Sequence, residues 1–410
     1  MRMKKSYFIV LTSFLMSGCL RVSLFSPIRP GDENPGGGEE EASYVWERMG
    51  SPLTNAQPAN SWKFTADIAI DNGTAYVAYG NEADDEIHVE KWSGGAWTGF
   101  TQVQNFEGAF QDPRFAIQNQ IIGLGFQDAG DIFNLYTFDD PGGGWFQTYG
   151  FDNAYFSVYG TFAGSGMVAF GDGGYLLAGA FRTTDSKFPL MFAADIPNLA
   201  LTGQLILDGG TMVAVAGAER SDFFVDSSLN AYVGVLNSST LRYNLQMTAG
   251  FDTGCFTAGV CQIWQDITNN VGDELGDATA GAAILYQGLP TVAVTTDDGA
   301  IYTYGIYQFD GANWNPLGSA FTATYTAAVA RLATDGTSLY LGVMSKGNQG
   351  LQVYRWNGST WKTHGPASAG DRSIRQFSLV ADETLGVIAI AQRVDPNDGV
   401  EVIRLVTEPE

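Results

Sequence analysis

The stretch DGTSLYLGVMSKGNQGLQVYRWNGSTW, residues 335–361, contains two sequence signals that recur along the chain. The first signal is the strand core Tyr340–Gly342, in which an aromatic, aliphatic or threonine residue is followed by an aliphatic residue and then a small one. The second signal is Trp356–Trp361, in which an aromatic residue, a glycine-containing turn and a tryptophan follow in order. Both signals predict short β-strands joined by tight turns, because aromatic and β-branched residues favour strands and glycine favours turns.

The first signal occurs seven times, and its small third residue recurs at steps of 45 to 59 residues. Such near-even self-similarity predicts one supersecondary unit per repeat, stacked against its neighbours. The seven occurrences are Tyr76–Ala78, Ile121–Gly123, Leu176–Ala178, Tyr232–Gly234, Thr291–Ala293, Tyr340–Gly342 and Val387–Ala389.

The second signal follows the first in four repeats, at Trp92–Trp97, Phe138–Trp145, Phe309–Trp314 and Trp356–Trp361. Each predicts a hairpin, so a repeat contains about four short strands in roughly 50 residues. Repeats three and four lack this signal, which leaves their boundaries open. The shared position of the tryptophans predicts packing between sheets rather than platforms for sugar stacking, and the members are Trp46, Trp97, Trp145, Trp314 and Trp361.

These patterns predict an all-β fold for residues 43–410, a seven-bladed β-propeller of four-stranded blades. The chain ends support this prediction. Val400–Val406 is a third strand with no fourth strand after it, and Tyr44–Gly50 is a tryptophan-containing strand with nothing before it. We therefore expect the N-terminal strand to join the last blade and close the ring, which removes exposed sheet edges.

The repeats resemble those of bacterial β-propeller proteins, although no single named family fits. The order of residues typical of Kelch repeats is not kept, and Phe309–Trp314 resembles only the end of a sialidase-type Asp-box. The Asp310-Gly311-x-x-Trp314 stretch also resembles fucose-binding propeller lectins. The arginine that those lectins carry on a neighbouring strand is not evident at Tyr76, Tyr232 or Tyr340.

Residues 1–18 have the layout of a secretory signal peptide, with early basic residues, the apolar stretch Tyr7–Met16 and a small-residue cleavage site. The apolar stretch is too short to span a bilayer, which needs about 20 residues. Met16–Cys19, preceded by Leu15, resembles the bacterial lipobox, with methionine where leucine is more usual. The alternatives are an ordinary signal peptide with an incidental cysteine, or a buried apolar segment.

The lipobox resemblance implies that Cys19 is lipidated, that residues 1–18 are removed, and that the membrane is a partner through this lipid. Residues 19–42 are then an acidic linker rich in proline and glycine, with a reach of about 25 Å. This places the protein in the cell envelope. Leu20, rather than aspartate, follows the cysteine, which resembles outer-membrane sorting if the host has two membranes.

The charge of the chain is strongly one-sided, with 44 acidic and 21 basic residues and a formal net charge of −23. Such a surface repels phosphate backbones, so we exclude nucleic acid as a partner. The acidity otherwise serves solubility or attracts a cation or a basic partner.

No catalytic, cofactor or metal motif is present in the sequence. His88 alternates with apolar neighbours on a strand, and His364 lies in a turn. Neither histidine belongs to a nucleophile, zinc or metalloprotease pattern, so we assign no catalytic residues, no metal ligands and no cofactor.

Phe251–Asp277 is the longest interruption of the repeats. Two cysteines six residues apart are predicted to form a disulfide in an oxidising compartment, the alternative being two free thiols. Long loops in repeat proteins often carry binding function, so we predict a binding site here, the alternative being an insertion without function. The cysteines are Cys255 and Cys261, and the binding candidates are Trp264, Asp266, Asp273, Glu274 and Asp277.

The sequence therefore favours a membrane-anchored envelope protein whose propeller is a binding or interaction module for a protein or a glycan. Two alternatives stay open. One is a glycan-active envelope hydrolase that uses paired carboxylates. The other is a structural scaffold of an envelope assembly.

Overall fold

The strands of this protein pair into antiparallel β-sheets of up to five strands, and we describe them from a computed structural model. The described residues are 43–53, 66–81, 86–103, 111–118, 121–127, 133–139, 144–150, 167–171, 175–179, 190–193, 222–228, 230–237, 241–248, 265–268, 271–272, 277–297, 302–323, 327–345, 350–368, 374–393 and 399–408. Within these ranges no helix is both long enough and apolar enough to cross a bilayer.

The described strands form seven sheets, which we number in chain order, and β1 (Tyr44–Arg48) belongs to the last of them. Sheet 1 contains, in spatial order, β2 to β5, at Ala66–Asp71, Thr74–Asn81, Glu86–Ser93 and Ala96–Val103. Sheet 2 contains β6 to β9, at Gln111–Gln118, Ile121–Gln127, Phe133–Asp139 and Gly144–Gly150. Sheet 3 contains β10 to β12, at Met167–Gly171, Tyr175–Gly179 and Leu190–Ala193.

Sheet 4 contains β13 to β16, at Asp222–Val225, Ala231–Asn237, Arg242–Thr248 and Gln265–Asp266. Sheet 5 contains β17 to β20 and β21, which also pairs with β19, at Ala278–Tyr286, Leu289–Asp297, Tyr302–Phe309, Trp314–Pro316 and Phe321–Ala323. Sheet 6 contains β22 to β25, at Ala327–Thr334, Leu339–Ser345, Leu351–Trp356 and Trp361–Thr363. Sheet 7 has the order β1-β28-β27-β26, with β26 to β28 at Ile374–Asp382, Gly386–Arg393 and Val400–Thr407.

The expected pairing of the N-terminal strand with the last strand is confirmed. Strand β1 runs antiparallel to β28, from Tyr44 opposite Thr407 to Arg48 opposite Ile403. An ion pair of 3.1 Å joins Arg48 to the buried carboxylate of Glu401 and supports this register.

The first strands of successive sheets contact one another, in the order β2, β6, β10, β13, β17, β22 and β26, and β26 also contacts β2. Aspartates on two of these first strands link neighbouring sheets. The carboxylate of Asp67 accepts the backbone N–H of Phe115 at 3.0 Å and the hydroxyl of Ser378 at 2.6 Å. It therefore connects β2 to β6 and to β26, and it is not left as an unsatisfied buried charge. In the same way, Asp222 on β13 accepts the backbone N–H of Ala283 on β17 at 2.8 Å.

Glycines make room for a tyrosine ring that packs between sheets 4 and 5. Tyr243 of sheet 4 lies over two glycines, and a Cβ atom built on Gly281 of sheet 5 would meet its ring at 2.1 Å. A Cβ atom on Gly234 would meet the Tyr243 hydroxyl at 1.9 Å. Neither position has room for alanine unless Tyr243 moves, because interiors are packed with few voids.

Four tryptophans of the fourth strands fasten sheets 1, 5, 6 and 7 each to the preceding sheet, sheet 7 preceding sheet 1, which confirms their predicted structural role. Each indole N–H donates to a backbone carbonyl just beyond the fourth strand of the preceding sheet. The bonds are Trp46 to Pro366 at 2.9 Å, Trp97 to Met49 at 2.7 Å, Trp314 to Ile267 at 2.5 Å and Trp361 to Leu317 at 2.8 Å. The side chain of Trp145 lies outside the described residues.

Replacing Trp361 by phenylalanine is expected to lower the free energy of unfolding by about 1–3 kcal/mol, because the Leu317 carbonyl loses its donor. Trp356→Phe is the matched control, because it removes the same atoms as Trp361→Phe. Phenylalanine is also tolerated at this position, since Phe309 occupies the equivalent position in sheet 5. Urea denaturation of both variants is the measurement. Equal losses in the two variants would contradict a specific role for the indole hydrogen bond.

Candidate functional site

A cleft of about 450 Å³ opens between sheets 6 and 7. It lies at the end of the sheets where the β22–β23 and β26–β27 hairpins turn. The residues that line it come from both hairpins, from β24, from the segment after β25, from β28 and from β1. This volume lies in the range of small-molecule sites, about 300–1,000 Å³. The cleft is therefore our candidate functional site.

The turn between β22 and β23 is organised by Asp335. One oxygen of its carboxylate accepts the backbone N–H groups of Thr337 at 2.9 Å and Ser338 at 2.6 Å. The other oxygen accepts the hydroxyl of Tyr340 at 2.9 Å. Gly336 has a φ of 89°, a conformation that glycine adopts without strain. The Asp-Gly turn thus determines where the Tyr340 ring lies.

Arg355 lies on β24 directly opposite Tyr340 on β23. Its Nε and Nη2 groups donate to the hydroxyl of Ser338 at 3.2 and 2.8 Å. Its guanidinium carbon is 5.9 Å from the centre of the Tyr340 ring, within the range of a cation–π contact. Because Arg355 is exposed, the guanidinium group is available to a ligand in the cleft.

His364 follows β25 and lies between two tyrosines. Its backbone N–H donates to the carbonyl of Val353 at 2.8 Å, which holds this part of the chain beside β24. The imidazole centre is 4.3 Å from the ring of Tyr44 and 5.4 Å from the ring of Tyr340. We call Tyr340, Arg355 and His364 the cleft cluster.

The aromatic members of the cleft cluster are uncharged at neutral pH. Burial lowers the pKa of His364 to about 4, and the positive charge of Arg355 acts in the same direction while Asp335 opposes it. Burial also raises the pKa of Tyr340 to about 12. The cleft therefore offers a neutral imidazole and a neutral phenol beside a permanent positive charge.

Sheet 7 supplies carboxylates to the opposite wall. Asp382 accepts the backbone N–H groups of Thr384 at 2.8 Å and Leu385 at 2.9 Å, and so organises the β26–β27 turn as Asp335 organises its own. Glu383 is exposed and accepts the hydroxyl of Thr337 across the cleft at 3.3 Å. This bond joins the two hairpins at the entrance.

Strand β1 completes the cleft. Its first residue, Tyr44, lines the cavity and packs on His364. Glu47 forms an ion pair with Arg404 of β28, a second arginine of the lining. The arrangement as a whole places hydrogen-bond donors and acceptors next to ring faces, which is suited to holding a small polar molecule.

Most of the residues predicted to form the site in the 251–277 segment lie outside the described residues. These are Cys255, Cys261, Trp264, Asp273 and Glu274, and Cys19 also lies outside. Asp266 lies on β16, where it accepts the side-chain amide of Asn244 at 2.7 Å and the backbone N–H of Thr268 at 2.9 Å. Asp277 is exposed and precedes β17. Neither aspartate lines the cleft between sheets 6 and 7.

Part of the segment that interrupts the sequence repeats is a regular strand, because β16 pairs with β15 as the fourth strand of sheet 4. Ile267, which accepts the indole of Trp314, comes three residues after Trp264. Met49 likewise comes three residues after Trp46, and it accepts the indole of Trp97. The sequence position of Trp264 thus matches that of the structural tryptophans, while its predicted role in binding stays a prediction.

Sequence reasoning missed the residues of the cleft. The sequence places His364 in a turn, whereas in the structure it lies in an irregular segment just after β25, with its backbone N–H bonded to Val353. The sequence also gives no sign of the two rings beside it. Arg355 belongs to no recognisable motif, although it follows Tyr340 by fifteen residues, a spacing that places the two opposite each other across β23 and β24. This spacing is the one signal that could have found the pair.

No protein-family model and no curated protein matches the chain. Among solved structures, the polysaccharide lyase Uly1 is similar at a TM-score of 0.50 and 10% identity, over 88% of this chain and 92% of that one. YCF48 from Cyanidioschyzon merolae has a TM-score of 0.48 and 11% identity, over 87% and 98% of the two chains. The SapL1 lectin in complex with alpha methyl fucoside has a TM-score of 0.45 and 12% identity, over 74% and 97%. At this identity the likeness to the lyase supports a propeller-like all-β fold and nothing further.

The depressed pKa of His364 predicts a pH-dependent stability. Between pH 6.5 and about 4 the unfolded histidine binds a proton that the folded one does not, so its contribution is fully favourable above pH 6.5 and is lost as the pH falls. In His364→Gln this dependence is expected to disappear, so the stability difference from the wild type changes with pH over this range. The measurement is denaturant unfolding at several pH values.

An NMR titration of the two histidines gives an independent check, since the variant identifies the His364 signal. A midpoint near 4 is expected. A midpoint at or above 6.5, the ordinary value for histidine, would contradict the half-buried, uncharged imidazole.

Proposed function

We propose that this protein is a glycan-binding module of the cell envelope and that its ligand occupies the cleft between sheets 6 and 7. The observation that carries this proposal is the cleft cluster, in which a guanidinium group, a phenol and an imidazole meet at one cavity. Tyr44 adds a second phenol ring beside the imidazole, 4.3 Å away.

The chemistry of the cleft suits a polyhydroxylated ligand. A sugar ring presents hydroxyl groups that both donate and accept, together with patches of C–H that pack on aromatic rings. Arg355 supplies donors only, and carboxylates such as Glu383 supply acceptors only. The rings of Tyr44 and His364 supply apolar faces next to them. A ligand that only accepts hydrogen bonds would leave the carboxylates without a partner, and one that only donates them would leave Arg355 without a partner.

We further propose that the seven sheets are the blades of a closed seven-bladed propeller. Three observations support this arrangement. The first strands contact one another in a cyclic order that returns from β26 to β2. Strand β1 provides the fourth strand of sheet 7. Asp67 links the inner strands of sheets 1, 2 and 7. In such a ring the cleft lies at the seam next to the strand that joins the chain ends.

Binding has more support than hydrolysis for this cleft. Acid–base hydrolysis of a glycoside needs two carboxyl groups that are available to the substrate. The carboxylates of Asp335 and Asp382 instead accept backbone N–H groups that hold their turns. A scaffold would be favoured by a large exposed apolar patch, whereas the large apolar side chains exposed among the described residues are Leu241 and Leu289.

The lipobox resemblance supports an anchored location, with Cys19 as the lipidated residue. Cys19→Ala is expected to move the protein from the membrane fraction to the soluble fraction, because several acyl chains are needed for stable attachment. Fractionation and labelling with a palmitate analogue measure this change. Ser17→Ala is a conservative control at the cleavage site. An unlabelled wild-type protein would contradict the proposal.

Arg355→Met is expected to weaken glycan binding by roughly 10- to 100-fold, the cost of a lost hydrogen bond from a charged group. Lys362→Met removes the same charge from an exposed position on the neighbouring strand, outside the cleft lining, and is the matched control. The measurement is binding of the detergent-solubilised full-length protein to an array of defined oligosaccharides. Equal binding by Arg355→Met and the wild type would overturn the assignment of the cleft.

A further inference from the structure

The cleft cluster has a counterpart in sheet 1. Tyr76 on β3 lies directly opposite Lys91 on β4. The Nζ atom of Lys91 is 4.9 Å from the centre of the Phe100 ring, and Tyr76 contacts the same ring edge to face at 5.6 Å. Phe100 belongs to the fourth strand of its sheet. We call Tyr76, Lys91 and Phe100 the sheet 1 cluster.

The two clusters occupy equivalent places in their repeats. In each, the tyrosine is the first residue of the strand core, and the basic residue follows it by fifteen residues on the third strand. In each, an aromatic residue on or just after the fourth strand packs on the tyrosine, at 5.4 Å for His364 and 5.6 Å for Phe100. Both are also preceded by an Asp-containing hairpin turn, at Asp335 and at Asp71.

Both clusters also face the next sheet in chain order. Tyr340 packs in one apolar cluster with Ile374 and Leu379 of sheet 7. Tyr76 packs in another with Phe115 of sheet 2. Each basic side chain therefore stands at a seam between two sheets, beside a tyrosine that is itself buried.

The fold does not require this arrangement. At the same two positions the other five sheets have no pair of tyrosine and basic residue. The pairs there are Ile121 with Asp139, Leu176 with Ala193, Tyr232 with Met247, Thr291 with Gln308 and Val387 with Leu405. Five different pairs of residues pack at these positions in the other sheets. Packing therefore does not explain why sheets 1 and 6 both have a tyrosine opposite a basic residue.

We propose that the seam between sheets 1 and 2 is a second glycan-binding site, with the sheet 1 cluster as its recognition element. The proposal rests on the proposed function and extends it from one site to two in one chain. Lys91 occupies in sheet 1 the position that Arg355 occupies in sheet 6. Its ammonium group is a compact charge whose three N–H groups donate to single oxygen atoms, whereas the planar guanidinium group of arginine can donate two parallel hydrogen bonds. The two sites thus bind the same class of ligand with different fine specificity.

Two sites in one chain suit a polymeric ligand. A polysaccharide with repeated units engages both seams, and the second contact is then intramolecular, which strengthens binding by roughly 10²- to 10⁴-fold without any new kind of contact. A short oligosaccharide occupies each site independently and gains nothing from the second.

Affinity electrophoresis tests the proposal with the full-length protein in detergent and gels that contain dextran, galactomannan, arabinogalactan or alginate. The wild type is expected to be retarded by at least one of these polysaccharides. Lys91→Met and Arg355→Met are each expected to reduce the apparent affinity by roughly 10²-fold, and the double variant to abolish retardation. Lys362→Met is the control and is expected to migrate like the wild type.

The outcomes separate the two proposals. Retardation that is lost in Arg355→Met but unchanged in Lys91→Met overturns the second site and leaves the cleft intact. Loss in Lys91→Met alone overturns the cleft and leaves the site at sheet 1. A wild type that no polysaccharide retards overturns both. Thermal melting shows whether Lys91→Met folds, and Lys91→Gln replaces it in the same test if it does not.

Discussion

The pairing of β1 with β28 is the contact on which the rest of the molecule depends. It joins residues from the two ends of the chain in one sheet, and it covers the hydrogen-bonding edge that β28 would otherwise expose. The same strand sends Tyr44 into the cleft and the Trp46 indole to the carbonyl of Pro366 in sheet 6. One five-residue strand therefore completes the last sheet, fastens it to its neighbour and forms part of the proposed ligand site.

Two kinds of hydrogen bond link neighbouring sheets, one near the first strands and one near the fourth strands. Near the first strands, aspartates accept backbone N–H groups of the next sheet, as Asp67 does from Phe115. Near the fourth strands, indole N–H groups donate to carbonyls of the preceding sheet, as Trp97 does to Met49. Both kinds of bond occur between sheets 7 and 1 and between sheets 4 and 5, and there they fix the distance between the two sheets. A cavity at a seam then has walls that are fixed before a ligand arrives, which lowers the entropy cost of binding.

The fold was predictable because its signals are local. Strand cores such as Tyr340–Gly342 and turns such as Trp356–Trp361 specify a sheet within one repeat, and the unpaired strands at the two ends indicate their partner. The site was not predictable in the same way. Arg355 and Tyr340 meet through strand register, and His364 meets Tyr44 only because β1 joins sheet 7, a contact between residues 320 positions apart. The 251–277 segment was predicted to be a binding loop because it interrupts the sequence repeat, yet it contains β16, which pairs with β15 as a regular strand of sheet 4.

Hydrogen exchange of the amides of β1 and β28, followed by mass spectrometry on the same sample, tests most directly whether β1 is an integral strand of sheet 7. If it is, the amides of β1 that donate to β28 exchange as slowly as those of β28, and both sets speed up together as denaturant is added. If β1 instead exchanges rapidly while β28 stays protected by β27, the N-terminal strand is only loosely attached. The cleft would then lack a fixed wall at Tyr44, which would contradict both the closure of the last sheet by β1 and a ligand site formed in advance at this seam.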